Sequence, residues 1–261
     1  MRLKPKKSLG QNFLTDKNIQ RKIIRACAFN SSDSVLEIGP GTGELTALIA
    51  EQVNRLYAVE IDPRLYAGLK ERFQGYSRVK IINADILKIN PKIYARGKSA
   101  RIKVIGNIPY YITTPIIGHL FKFRDKIKHI FLTVQKEFAQ RITASAGSKD
   151  YGSFSCFVQY YTKAKQLFLI KKTSFWPAPK VDSCFLSLEI KEKPDIIVKD
   201  EARFFKIIRQ AFNQRRKTLR NSLRGLIAAE ELEHFFSKYS INSKIRPEDL
   251  SLKEFADLSN I

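Results

Sequence analysis

The 261-residue chain carries 47 Lys and Arg against 25 Asp and Glu, a formal charge of +22, and 44% of it is hydrophobic. That apolar share supports a substantial core and excludes disorder as the default. The three cysteines lie far apart with no C-x-x-C pair, and the three histidines show no ligand spacing; this argues against a disulfide framework or a zinc site and fits a reducing cytosol.

From the N-terminus, the basic MRLKPKKSLGQNFL is followed by no apolar h-region, so it is not read as a signal peptide. The segment 17–29 has apolar positions at helical spacing, with Asp16 as N-cap. SVLEIG (34–39) reads as a buried strand ending in glycine, followed by a Gly-rich turn and a helical GELTALIAEQV (43–53). LYAVE (56–60) is a second strand, and PRLYAGLKERF (63–73) a helix with proline at its favoured first turn. VKIIN (79–83), IKVIGN (102–107) and HIFLTV (129–134) continue the strand series, with helical stretches between. KQLFLI (165–170) and SCFLSLEI (183–190) are close enough to pair antiparallel. Beyond the polar 192–200 only short helices are expected.

The alternation predicts an α/β fold: a doubly wound, Rossmann-like sheet followed by a small C-terminal all-α domain. The boundary is placed near residue 192, giving domains 1–191 and 192–261. No apolar run approaches the ~20 residues of a membrane helix. A soluble, cytoplasmic protein without a membrane partner is expected.

EIGPGTGEL (37–45) follows the first strand and opens a helix, with Gly39, Gly41 and Gly43 at G-x-G-x-G spacing. Glycines there let the backbone turn tightly and a ligand approach closely. The third glycine comes one residue earlier than in the G-x-G-x-x-G dinucleotide fingerprint, and no phosphate loop is present. Glu60 ends the second strand, where a carboxylate can accept from both ribose hydroxyls. Asp85 follows the third strand in NADIL and can accept from an adenine amino group. Either acid alone would read as a solvated loop carboxylate; with the turn they describe an adenosine pocket. In a basic chain lacking a phosphate loop, that pocket suits S-adenosyl-L-methionine better than a nucleotide.

GNIPYYIT (106–113) puts Asn107 on the same rim. The exocyclic amine of a base is a poor nucleophile because its lone pair is delocalised. Two fixed acceptors, one for each N–H, would turn that lone pair toward a methyl donor. Asn107 Oδ1 and the carbonyl of Ile108 or Pro109 are the candidates, with Pro109 stiffening the backbone. Tyr110 offers a stacking face worth ~1–3 kcal/mol per base. The plainer alternative is a strand-ending turn with core aromatics. SFWPAPKVDS (174–183) stiffens a second aromatic loop, where Phe175 either closes the base from the other side or plugs the core beneath the loop.

SLGQNFL (8–14), EIGPGTG, Glu60, NADIL, NIPY, FWPAPKVDS and RRKTLRNSL (215–223) occur in the order seen in KsgA-type rRNA adenine dimethyltransferases. The chain resembles that family over nearly its whole length. The resemblance implies that Gln11, Asn12, Phe13 and Leu14 fold over the cofactor and that Ile86 lies beside Asp85 at it. It also implies dimethylation of two adjacent adenosines in a hairpin loop near the 3′ end of small-subunit rRNA. The substrate would be a partly assembled subunit, with the enzyme acting as a checkpoint in assembly. Tyr111 departs from the family pattern, standing where a smaller polar residue is expected; it would narrow the pocket or change the order of addition without removing an acceptor.

The target adenine must leave its stack, which costs least in a single-stranded loop. The positive charge favours a phosphate-rich partner, although a generally basic proteome would also produce it. Arg209, Arg215, Arg216, Lys217, Arg220 and Arg224 are expected to contact rRNA phosphates. Seven basic residues and no acid fall between Lys206 and Arg224. A solvated helix face is the alternative. The rival functions are a large-subunit rRNA methyltransferase of the macrolide-resistance type and a non-catalytic rRNA-binding assembly factor. No apolar surface helix demands a dimer, so a monomer is expected.

Overall fold

The computed structural model describes residues 4–95, 97, 100–214 and 216–261. Two compact units are formed: residues up to Ala139 with Lys165–Ile190, and Gln140–Ala164 with Lys191–Ile261.

Among the described residues the strands are β1 (Phe13–Leu14), β2 (Ser34–Ile38), β3 (Arg55–Glu60), β4 (Val79–Asn83), β5 (Ile102–Asn107), β6 (Ile127–Gln135), β7 (Thr162–Ile170), β8 (Phe175–Trp176) and β9 (Ser183–Ile190), and all but the first three residues of β7 belong to the first unit. Seven form one sheet in the order β4-β3-β2-β5-β6-β9-β7. β4, β3, β2, β5 and β6 are parallel, and β9 runs antiparallel to β6. This is the doubly wound sheet expected from the alternation of elements. Val35, Leu36, Leu56, Ala58, Val104 and Ile105 are buried, as strands covered on both faces require.

The helices of this unit follow local chemistry. α1 (Lys17–Cys27) is capped by Asp16, whose Oδ1 accepts from the Asn18 and Ile19 amides. It stops two residues before the expected end because Ala28 adopts φ 44°. α2 (Glu44–Ala50) opens from Gly43, and α3 (Pro63–Arg72) begins with proline at its first turn. α4 (Thr113–Phe121) follows β5 through a short 3-10 turn, Tyr110–Ile112.

The carboxyl ends of β2, β3, β4 and β5 reach one edge in register: Ile38 pairs with Val59 and Gly106, and Glu60 pairs with Asn83. The strand order turns back at β2, with β3 on one side and β5 on the other. An open α/β sheet places its ligand crevice at such a switch point.

The chain enters the second unit within α5 (Lys136–Thr143). That unit contains α6 (Ser153–Tyr161), α7 (Glu201–Asn213), α8 (Leu219–Ser222), α9 (Ala229–Lys238) and α10 (Leu252–Ser259). Its core is aromatic: Phe157 meets Phe205 at 5.5 Å between ring centroids, Tyr160 meets Phe204 at 5.2 Å, and Phe212 lies between Tyr151 and Phe255. These contacts place α6 with the C-terminal helices, whereas a boundary at 192 leaves it in the first domain. Sequence position alone did not reveal this, because the partners of α6 lie some 40 residues further on.

Candidate active site

The glycine turn meets two different demands. Gly39, Gly41 and Gly43 have φ of 67°, 60° and 86°, values that L side chains rarely adopt. At Gly41 a Cβ would stand 3.0 Å from the Phe13 ring, so the N-terminal segment closes on bare backbone. At Gly43 a Cβ would come within 2.8 Å of both Leu69 and Phe73. The third glycine therefore serves helix packing, and the first two shape the crevice floor.

Glu60 is 4% exposed; its Oε2 accepts from the Gly41 amide at 3.2 Å and its Oε1 from the Asp62 amide at 2.9 Å. Burial holds the carboxyl above its ordinary pKa, opposed by those hydrogen bonds. Asp85 Oδ1 accepts from the Leu87 amide at 2.9 Å, which caps the turn Ile86–Lys88. Asp85 and Ile86 both line the crevice. The sequence placed these acids at the strand ends, and they stand there.

Glu37 was not singled out from the sequence. It lines the same crevice, is only 2% exposed, and its Oε2 has no hydrogen-bond partner among the described residues. Burial raises its pKa to about 7, and the neighbouring Glu60 adds to the rise. A carboxyl oxygen left without a partner near the end of a buried strand is satisfied either by its own proton, which the raised pKa favours, or by a donor-rich ligand. The signal was present in EIGPGTG, as an acid inside an otherwise apolar strand.

The N-terminal segment is fastened by contacts distant in sequence. Gln11 Nε2 donates to Asp62 Oδ2 at 3.1 Å, while Gln11 Oε1 accepts from the Lys6 amide at 2.7 Å. Asp62, also overlooked, caps α3 and pairs with Arg64 at 2.7 Å. The Arg64 guanidinium holds its carboxyl well below the usual carboxylate range. Phe13 and Leu14 then pair antiparallel with Trp176 and Phe175. Gln11, Asn12, Phe13 and Leu14 all line the crevice.

At the far rim, Asn107 Nδ2 donates to the Asn12 carbonyl at 3.0 Å. That bond settles the amide's orientation and presents Oδ1 as an acceptor. The Pro109 carbonyl already accepts from the Ile112 amide at 3.2 Å in the 3-10 turn. That bond occupies one lone pair of the Pro109 carbonyl, and the Ile108 carbonyl is the other candidate acceptor at this corner. The Tyr110 hydroxyl bonds Ser183 Oγ at 2.7 Å, tying the NIPY corner to the start of β9. Burial raises the Tyr110 pKa.

Phe175 is 5% exposed and packs with Leu14, Ile23, Phe131 and Phe185 in the main core cluster. It also lines the crevice, so it is buried wall as well as plug rather than a free ring closing over a base. The pairing of β8 with β1 holds it there.

The basic residues are not one helical stripe. α7 ends at Asn213 and α8 starts only at Leu219, capped by Thr218 Oγ1 accepting from the Asn221 amide. Arg209, Arg216, Lys217 and Arg224 are exposed. Arg220 pairs with Glu233 and lies over the Phe236 ring at 5.9 Å, so an intramolecular acid occupies it. Arg215 lies outside the described residues. Among the described residues no His, Cys, Asp and Glu cluster could hold a metal ion, and no helix is long and apolar enough to cross a membrane.

The family model for ribosomal RNA adenine dimethylase matches residues 2–261. A ribosomal RNA small subunit methyltransferase A of Moorella thermoacetica is 42% identical, with 98% of this chain and 92% of that protein covered. The crystal structure of a dimethyladenosine transferase from Plasmodium falciparum superposes with a TM-score of 0.78 at 27% identity, covering 94% of this chain and 95% of that one. The 23S rRNA methyltransferase ErmE superposes at 0.75 and 24% identity over 95% and 100% of the two chains, a likeness of fold alone. With its full-length match and its strand-end acids set around a glycine turn, the chain is a member of the ribosomal RNA adenine dimethylase family.

Proposed function

We propose that this protein dimethylates N6 of two adjacent adenosines in a hairpin loop near the 3′ end of small-subunit rRNA, with S-adenosylmethionine as methyl donor. One observation carries the reading of the site: the bond from Asn107 Nδ2 to the Asn12 carbonyl leaves Oδ1 as the rim acceptor beside the donor crevice.

When bound, the donor supplies an electrophilic methyl group on a sulfonium centre. The residues fit it. Glu60 would hold the ribose hydroxyls and Asp85 the adenine amine, while Gly39 and Gly41 admit close approach. The orphaned Glu37 carboxyl favours a ligand bearing positive charge and disfavours a phosphate. Gln11, Asn12, Phe13, Leu14 and Ile86 would complete the walls. Asn107 Oδ1 and the carbonyl of Ile108 or Pro109 would each accept one N–H of the target amine, directing its lone pair toward the donor. Tyr110 would stack on the flipped base, and Phe175 would back the pocket from the core. The proton released from the amine would leave to water.

The second unit, corresponding to the expected rRNA-binding domain, would position the subunit through Arg209, Arg216, Lys217 and Arg224. Arg220 would contribute only after exchanging Glu233 for a phosphate. A partly assembled small subunit as substrate, a monomeric enzyme and a cytoplasmic location complete the proposal. The name of the 42% identical relative favours the small subunit over the large one.

The test is transfer of labelled methyl groups to small subunits from cells lacking this protein, with large subunits and duplex DNA as controls and digestion to identify the nucleoside. Dimethyladenosine confined to small-subunit rRNA is expected. Label in the large subunit would overturn the assignment, and binding without label would leave an assembly factor.

A further inference from the structure

We propose that Tyr111 is a stacking platform for the nucleobase next to the adenine being methylated. This rests on the methyl-transfer reading above and assigns a role to the residue that departs from the family pattern.

Three observations converge on this ring. First, Tyr111 lines the same crevice as Asn107 and Tyr110 but is 66% exposed, a large aromatic left open at the lip of a site whose other walls are mostly buried or half-buried. Second, the ring is braced. Gly10 has φ 60°, and a Cβ there would come within 3.2 Å of both Tyr111 Cε1 and Pro109 Cβ. The N-terminal backbone thus supports the ring edge at a point where only glycine leaves it in place. Third, Tyr110 and Tyr111 are consecutive in a 3-10 turn, where successive side chains diverge by about a third of a turn. Tyr110 is anchored through its hydroxyl to Ser183, so Tyr111 faces a different direction.

An exposed, braced aromatic at the lip of a crevice proposed to admit a flipped base has a clear physical use. Flipping a base out of its stack exposes the face of its neighbour, and an aromatic ring recovers part of that loss without reading sequence. Tyrosine does so at small entropic cost, having few rotatable bonds. The substrate contains two adjacent target adenosines, so whichever one enters the pocket leaves a base beside the lip. Tyr111 would therefore aid both rounds of transfer.

The test compares Y111A, Y111L and Y111F with the unmodified enzyme. Binding of unmethylated small subunits is measured without turnover, in the presence of S-adenosylhomocysteine, and methyl transfer is followed separately. Y111A and Y111L are expected to weaken subunit binding and raise KM by about 5- to 100-fold. The rate at saturating subunits should stay within about two-fold, the affinity for S-adenosylhomocysteine should be unchanged, and Y111F should restore binding. Partly methylated rRNA should accumulate with Y111A. Unaltered binding by Y111A would overturn the inference. So would lost S-adenosylhomocysteine affinity, which would make the ring part of the donor pocket. A fall in kcat at constant KM would also overturn it, placing the ring on the reacting adenine. If the unmodified enzyme bound subunits but transferred nothing, the proposed reaction would fail while the binding comparison still decided the role of Tyr111.

Discussion

Replacing Asn107 by alanine removes two things of different size. The first is the bond from Nδ2 to the Asn12 carbonyl, 3.0 Å long and half-buried. A single neutral hydrogen bond contributes about 1 kcal/mol net. For a protein of this size, that corresponds to a fall in Tm of about 2–4 °C. The second is the rim acceptor Oδ1. A preorganised polar group acting on the transition state is worth about 10²–10³ in kcat. N107A should therefore lose at least about a hundredfold in methyl transfer to small subunits, melt within a few degrees of the parent, and bind rRNA nearly as well. N107D separates the two contributions. It retains an acceptor oxygen but sets the other oxygen against the Asn12 carbonyl, so it should share the stability loss and keep part of the rate. Labelled-methyl transfer, thermal denaturation and subunit binding read these quantities independently. A rate loss below tenfold, or a drop in rRNA binding as large as the drop in rate, would refute the catalytic assignment and make Asn107 a structural strand end.

Glu37 should make the ligand-free protein sensitive to pH. Its folded pKa of about 7 lies above the ordinary value of 4.5, so its protonated form favours folding: the contribution is complete below about pH 4.5 and lost as pH rises to about 7. The difference amounts to about 3 kcal/mol. E37Q should accordingly gain stability over the parent at pH 8 but not at pH 4.5 in urea titrations, and an equal effect at both would refute the shift. G43A should cost about 2–5 kcal/mol, because its Cβ would meet Leu69 and Phe73 at 2.8 Å in a left-handed backbone. G68A, inside α3 with nothing within 4 Å of the added carbon, should instead stabilise by about 0.5–1 kcal/mol; equal denaturation midpoints for the two would contradict this account. The three cysteines should resist alkylation in the native state: all are buried, and burial pushes Cys156 up to about 12, Cys184 to about 11 and Cys27 further. Rapid modification of any of them without denaturant would count against the burial described.

Much of the first unit was legible in the chain because its signals are local. Apolar runs bounded by turn residues marked the sheet strands, Asp16 and Pro63 marked helix starts, and β3, β4 and β5 carried their candidate residues at or just past their carboxyl ends. Glu60, Asp85 and Asn107 could thus be assigned to one rim before any contact was known. Other features depend on pairs far apart in the chain. β1 and β8 are two residues each, too short for any periodic pattern, and exist only because residues 13–14 meet 175–176. The bonds from Gln11 to Asp62 and from Tyr110 to Ser183 span 51 and 73 residues. The turn hydrogen bond that engages the Pro109 carbonyl came from the folded corner, and the burial of Phe175 from the strand pairing beside it. The basic segment reads in the chain as one run of seven basic residues without an acid, and the break between α7 and α8 divides it. The sequence by itself determined the sheet and its rim, because hydrophobic period and strand-end chemistry are written residue by residue. Only the tertiary structure decided which side chains remain unsatisfied or exposed at that rim, Glu37 and Tyr111 among them, because burial and hydrogen-bond completion belong to the assembled neighbourhood rather than to the chain.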